Sequence, residues 1–222
     1  MNKKYIDLSH TVEHGMVTYK GLPAPIICDY LSRAESKKIY EGGAEFQIGK
    51  IEMVGNTGTY IDSPFHRFEY GHDLSGLMLE NLADLKTVLI RVPYSDSLSI
   101  TANHISNFAI SPGDAVLFHT GWDVHWRTDR YFENHPFLTS DAAEYLKDKK
   151  VKLAGIDSHN IDDTAYKSRP VHTILLGADI LIVEHLCNMH ALPDQGFTFT
   201  AVPPKVKGVG TFPVRAFASV IL

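Results

Sequence analysis

Residues 171–184 read Val-His-Thr-Ile-Leu-Leu-Gly-Ala-Asp-Ile-Leu-Ile-Val-Glu. The run Ile180-Leu181-Ile182-Val183 is apolar without alternation, as in a strand covered on both faces. Such strands belong to layered α/β sheets. Just before it, residues 172–177 form an apolar segment that stops at Gly177, which predicts a short helix ending on a glycine. Glu184 closes the strand. Ligand sites of α/β sheets lie beyond the carboxyl ends of strands, and a carboxylate buried there is costly unless it is paired or metal-bound. Arg169 and Arg215 are the other available partners for Glu184, and His172 taken alone could equally be a satisfied core histidine.

The same pattern recurs upstream. Leu153-Ala154-Gly155-Ile156 is a second continuous apolar run followed by Asp157 and His159, and residues 115–118 run into His119. Several strands thus deliver His, Asp or Glu at their ends. Strands are predicted at residues 5–9, 46–53, 87–92, 115–119, 153–156, 180–183 and 212–220, rich in Val and Ile and bounded by Gly, Pro or Asp. Helices are predicted over 102–108, capped by Thr101, and over 141–149, capped by Ser140 with lysines at its negative end. These elements predict an α/β fold: a single compact domain over residues 1–222, with a mixed twisted β-sheet core and few outer helices.

A second polar cluster lies at residues 55–66, Gly-Asn-Thr-Gly-Thr-Tyr-Ile-Asp-Ser-Pro-Phe-His. Pro64 stiffens the chain between Asp62 and His66. If residues 60–62 are extended, Tyr60 and Asp62 share one face. A carboxylate and an imidazole four positions apart on a rigid turn can serve as metal ligand and general base. The same residues could instead form an Asx-turn around Asp62 with His66 in solvent.

Composition narrows the partners. The chain has 222 residues, 44% hydrophobic and 21% charged, which is ordinary for a globular protein. Its net charge is −5, with no basic run, which argues against nucleic acid as a partner. Cys28 and Cys187 support neither a disulfide framework nor a cysteine-rich zinc site. The start lacks the apolar core of a signal peptide and no run is long enough to span a bilayer, so a cytoplasmic location is expected. Twelve histidines give many potential metal ligands.

With these residues in place, the chain resembles the cyclase family that includes bacterial kynurenine formamidases. The family loop is His-x-Gly-Thr-His-x-Asp-x-Pro-x-His; here it reads Asn56-Thr-Gly-Thr-Tyr60-Ile-Asp62-Ser-Pro64-Phe-His66. The later His and Glu match as His172 and Glu184, and Ile6-Asp7-Leu8-Ser9-His10 and Gly155-Ile156-Asp157 also fit. The resemblance implies a metal-dependent hydrolase of C–N amide-type bonds, arylformamidase-like, acting on a small carbonyl substrate and assembled as a homodimer or homotetramer. It implies Asp62, His172 and Glu184 as metal ligands and His66 as general acid/base. It also points to Tyr19 as a substrate contact.

The sequence departs from the family loop at Asn56 and Tyr60, where histidines would complete a second metal site. A carboxamide oxygen is a weak ligand and a neutral phenol rarely one. One divalent ion is therefore expected, zinc first and manganese second, with Tyr60 free to hydrogen-bond an oxyanion. His119 and His159 stand where the family has no histidine; they are candidate replacement ligands or substrate contacts, as is Asn56. The alternative is a non-catalytic or metal-free relative that binds a small carboxylate or carbonyl compound, or uses His66, His119 and His159 as acid/base groups.

Overall fold

The apolar run before Glu184 is a central strand, as its lack of alternation requires. The structure is a computed structural model that describes residues 2–221. In chain order the strands are β1 (Lys3–Asp7), β2 (Ile26–Leu31), β3 (Ile48–Glu52), β4 (Tyr60–Asp62), β5 (Leu85–Arg91), β6 (Ser99–Ile100), β7 (Ala115–His119), β8 (Phe137–Leu138), β9 (Leu153–Ile156), β10 (Leu181–Glu184), β11 (Phe197–Thr200), β12 (Thr211–Pro213) and β13 (Phe217–Ile221). The helices are α1 (Arg33–Ser36), α2 (Ala102–Ile105), α3 (Ser140–Asp148) and α4 (Pro170–Gly177).

Nine strands form one mixed sheet in the order β1-β13-β11-β5-β7-β9-β10-β4-β12. The four central strands, β5, β7, β9 and β10, are parallel. The flanking strands pair antiparallel. Alternate residues of the central strands enter two separate cores. Leu117, Leu153 and Val183 join Leu8, Ile61 and Phe199 on one face. Val116, Phe118, Ala154, Ile156 and Ile182 meet Ala142 and Leu146 of α3 and Val171 and Leu175 of α4 on the other. Burial on both faces is why these strands read as continuous apolar runs. Each fully buried Leu, Ile or Val contributes roughly 1.5–3 kcal/mol. Gly155 of β9 has no room for a side chain: a Cβ there would lie 2.6 Å from Leu117 Cδ2 and 2.8 Å from Leu186 Cδ1.

Two expectations change. The strand predicted at 212–220 is two strands at opposite ends of the sheet, β12 on the β4 edge and β13 beside β1. Pro213, which has no N–H to give, ends β12, and an edge strand is where proline is tolerated. The helix predicted over 102–108 stops at Ile105. The Phe197-Thr198-Phe199 segment lies in strand β11, and its period of two turns both phenylalanines into the core, 4% and 0% exposed.

Strands β2 and β3 form a separate two-stranded sheet. Every residue of β3 is exposed, and Tyr30, Ile39, Phe46 and Ile51 show large apolar surfaces on this arm. Among the described residues no helix is long and apolar enough to cross a membrane.

Candidate metal centre

Sheet register brings the polar residues together. Strand β4 lies between β10 and β12, so Tyr60 is opposite Glu184 and Asp62 is opposite Thr211. Tyr60 and Asp62 are two apart in a strand and share a face. Helix α4 packs on that face and contributes His172 from its first turn. The loop after β4 turns through a short 3-10 helix, Pro64–His66, which returns His66 to the same place. Gly210, just before β12, lets this loop close: a Cβ there would lie 2.4 Å from the His66 nitrogen.

Asp62, Glu184 and His172 are buried. The Nε2 atom of His172 lies 3.7 Å from Asp62 Oδ2 and 3.7 Å from Glu184 Oε1. One ligand atom each from Asp62, His66 and His172 fall within 4.8 Å of one another. Asp62 Oδ2 is buried and has no hydrogen-bond partner among the described residues. An unpartnered carboxylate oxygen facing an imidazole nitrogen is costly unless a cation or water fills the gap.

The surrounding bonds fix each group's orientation. His172 Nδ1 is 2.6 Å from Asp162 Oδ2. Asp162 also accepts from the Val171 and His172 backbone nitrogens at 2.8 and 3.0 Å, tying down the start of α4. Nδ1 therefore carries the proton given to Asp162, and Nε2 is the nitrogen turned to Asp62 and Glu184. Glu184 Oε1 accepts from the Ile161 nitrogen at 2.6 Å, and Oε2 accepts from the Tyr60 hydroxyl and from Asn160 Nδ2 at 3.3 Å. The Thr211 hydroxyl donates to Asp62 Oδ1. It has one proton, so it must accept from His66 Nδ1, 2.8 Å away. In the neutral imidazole that leaves His66 Nε2 as the acceptor, on a side chain that lines the cavity.

Charge is out of balance here. Burial raises the Glu184 carboxyl above its usual range, against the pull of His172. Burial works to lower His172, but its bonds to Asp162 and Asp62 and the charge of Glu184 push it up to about 10. Burial also works to raise Asp62, while His172, His66 and Thr211 hold it below the ordinary carboxylate range. Three buried carboxylates, Asp62, Asp162 and Glu184, converge on one buried imidazole. Carboxylates with imidazole suit zinc or manganese, so the donor set fits a divalent cation.

The other predicted residues divide. Tyr19 and Asn56 line the same cavity, of about 360 Å³. Tyr60 is buried, lines the same cavity and donates its hydroxyl proton to Glu184 Oε2. Burial beside Glu184 and Asp62 raises its phenol well above the usual value. His119 is held 2.7 Å from Arg91 and does not join the Asp62 group. His159 sits in an aromatic cage, with its ring centre 4.4 Å from that of Tyr19 and 5.2 Å from that of Phe132, and it is outside the converging ligand atoms. Two contributing residues were missed by sequence reasoning, Asp162 and Thr211. Asp162 lies ten residues from its partner and Thr211 far later in the chain, so only the fold pairs them.

Comparison with known proteins agrees with this fold. The Cyclase family model matches residues 6–163. The kynurenine formamidase of Bacillus anthracis is 26% identical over 214 residues, which cover 96% of each chain. A solved structure described as a potential metal-dependent hydrolase with cyclase activity has a TM-score of 0.81 at 26% identity, over 100% of both chains. Isatin hydrolase A from Labrenzia aggregata has a TM-score of 0.84 at 20% identity, over 98% of this chain and 94% of that one, a likeness of fold.

Proposed function

The chain belongs to the Cyclase family, and we propose that it is a metal-dependent hydrolase of a C–N amide bond in a small carbonyl compound. The observation that carries this reading is the unpartnered Asp62 Oδ2 facing His172 Nε2, with Glu184 on the other side of that nitrogen. The kynurenine formamidase relatives support the reaction class.

In this reading Asp62, His172 and Glu184 hold one divalent ion, zinc before manganese. Bound there, the ion supplies Lewis acidity toward a carbonyl and lowers the pKa of water. The protein's own part is proton movement and orientation. His66 Nε2, the acceptor nitrogen when the ring is neutral, accepts a proton from the attacking water and returns it to the departing nitrogen. Thr211 and Asp62 hold the imidazole in that tautomer. Asp162 keeps His172 Nε2 turned to the site. Tyr60 and the Ile161 amide fix Glu184. Tyr19 and Leu22 form the less polar wall against which a planar substrate can lie.

We further place the enzyme in the cytoplasm, because Cys28 is exposed and both cysteines are free. We infer a homodimer or larger closed assembly from the β2–β3 arm. A lone two-stranded hairpin is marginal in water, and its exposed Tyr30, Ile39, Phe46 and Ile51 call for cover by a second copy. The deciding experiment is chelation. Protein dialysed against a chelator should lose formanilide hydrolysis and regain it with one equivalent of zinc or manganese; activity that survives complete metal removal overturns the reading.

A further inference from the structure

We propose that Lys20 is a positioning residue: it clasps the turn Tyr19-Lys20-Gly21-Leu22 to the segment 127–133 and so holds one wall of the cavity against a bound substrate. The inference rests on the hydrolase reading and adds to it a residue that works from outside the cavity. Tyr19 and Leu22 line the cavity, whereas Lys20 between them does not.

The turn is local in origin. The Leu22 nitrogen donates to the Tyr19 carbonyl at 3.2 Å. Gly21, the third residue of the turn, has φ +91°, a backbone that favours glycine. The first and last residues of the turn thus become cavity wall, and the second is left to reach elsewhere.

The main chain does little to orient this turn. Thr18 and Pro25 on either side of it are buried, and Thr18 Oγ1 donates to the Asn56 carbonyl at 3.0 Å. Between them, among the described residues, the backbone of 19–24 makes no hydrogen bond except the one that closes the turn. Orientation therefore falls to side chains. Lys20 Nζ lies 3.2 Å from Asp129 Oδ1, 3.4 Å from Glu133 Oε1 and 5.2 Å from the centre of the Phe132 ring. Among the described residues, no other lysine or arginine has two carboxylate side chains within 4.0 Å. Phe132 meets His159 with ring centres 5.2 Å apart, and His159 meets Tyr19 at 4.4 Å. A continuous path of contact thus runs from the clasp to the wall. Glu13 and Arg127, 2.8 Å apart, tie the same two stretches of chain a second time.

All three charged side chains of the clasp are exposed. Exposed ion pairs are weak and screened by salt. The wall is therefore held by contacts for which water and ions compete, and its position should respond to ionic strength even when the substrate carries no charge.

The test uses the metal-loaded enzyme and formanilide, which has no charge for salt to screen. Lys20→Gln should raise KM roughly 3- to 10-fold, the combined share of exposed ion pairs and a cation–π contact. It should leave kcat near that of the wild type, because Lys20 touches no reacting group, and Lys20→Arg should restore KM. Raising salt from about 0.01 M to about 1 M shortens the Debye length from about 30 Å to about 3 Å. Over that range the wild-type KM should climb toward that of Lys20→Gln, whose own KM should barely move. A KM unchanged in Lys20→Gln, a loss confined to kcat, or a wild type and variant with the same salt response overturns the clasp, while formanilide turnover keeps the hydrolase reading. If the wild type does not hydrolyse formanilide, that reading fails, and fluorine NMR of fluorotyrosine-labelled protein judges the clasp alone, with the Tyr19 signal assigned by Tyr19→Phe. A Tyr19 signal that moves toward that of free fluorotyrosine in Lys20→Gln, and returns in Lys20→Arg, supports it; a signal in the same place in all three proteins overturns it.

Discussion

The Nδ1 atom of His172 lies 2.6 Å from Oδ2 of Asp162, and this contact decides which imidazole nitrogen faces Asp62 and Glu184. Asp162 is itself buried, 1% exposed, and also holds the first amides of α4. One carboxylate thus sets both the helix start and the ring's tautomer. The arrangement explains how a single helix residue is oriented without a second histidine beside it.

Asp162→Asn should test that role. The amide keeps one oxygen for the backbone nitrogens but can no longer accept from Nδ1–H as an anion does. Metal affinity should fall by roughly 10- to 100-fold, the usual loss when a ligand histidine's partner is replaced. Competition with a fluorescent chelator measures it. Unchanged affinity would show that the tautomer is set elsewhere.

What the sequence revealed here, and what it hid, follows from the range of each interaction. The runs at 115–119 and 153–156 were readable as strands because burial on both faces removes alternation. Asp62, His172 and Glu184 were readable because each closes or opens a local element. Thr211 was not, because its meaning comes from the pairing of β12 with β4, 149 residues apart. The alternation Phe197-Thr198-Phe199-Thr200 fits a strand with one buried face. His119 looked like a site residue because it ends a core strand, but its side chain meets Arg91; periodicity says where a strand ends, not which way its last residue turns.

Metal stoichiometry should be at most one tightly bound ion per chain. Asn56 and Tyr60 replace the histidines of the family loop, and Tyr60 is committed to Glu184. Elemental analysis of protein purified without added metal reads the number directly. Two equivalents would refute the single site. The Asn56→His/Tyr60→His double variant should gain capacity for a second ion, since imidazole replaces two poor ligands.

Acid stability should reflect buried neutral histidines. Burial lowers His10 to about 4 and His159 to about 2, and His10 stacks on Trp126 with ring centres 3.8 Å apart. Their folded pKa values lie below the unfolded value of about 6.5. The unfolded chain therefore binds more protons in acid, and stability must rise with pH up to that value and fall below it. Comparing the pH dependence of urea midpoints in wild type and His159→Phe from about pH 7 to about pH 4 isolates this histidine share from the opposite slope of Glu184 and Asp157, whose buried carboxyls are raised to about 7. His159→Phe should flatten part of the histidine slope by removing a group that resists protonation. An unchanged slope would mean that His159 meets solvent in the folded state.

His66 and His172 should separate proton transfer from metal binding. The Thr211 hydroxyl gives its proton to Asp62 and accepts from His66 Nδ1, so His66 Nε2 is left as a base on the cavity. His172 Nε2 lies between two carboxylates and has no such freedom. His66→Ala should lower turnover by roughly 10²–10⁴-fold, the usual share of acid–base catalysis, while metal content stays near that of the wild type. His172→Ala should lose metal and activity together. Thr211→Val adds a further reading, because it keeps the shape of β12 and removes the relay. It should shift the pH profile of turnover without removing metal, since His66 would lose the partner that fixes its tautomer. The contrary result has a definite meaning, because Asp62, His66 and His172 already offer ligand atoms within 4.8 Å of one another. If His66→Ala strips the ion as His172→Ala does, His66 is a ligand, and the proton must be carried by another group on the cavity wall.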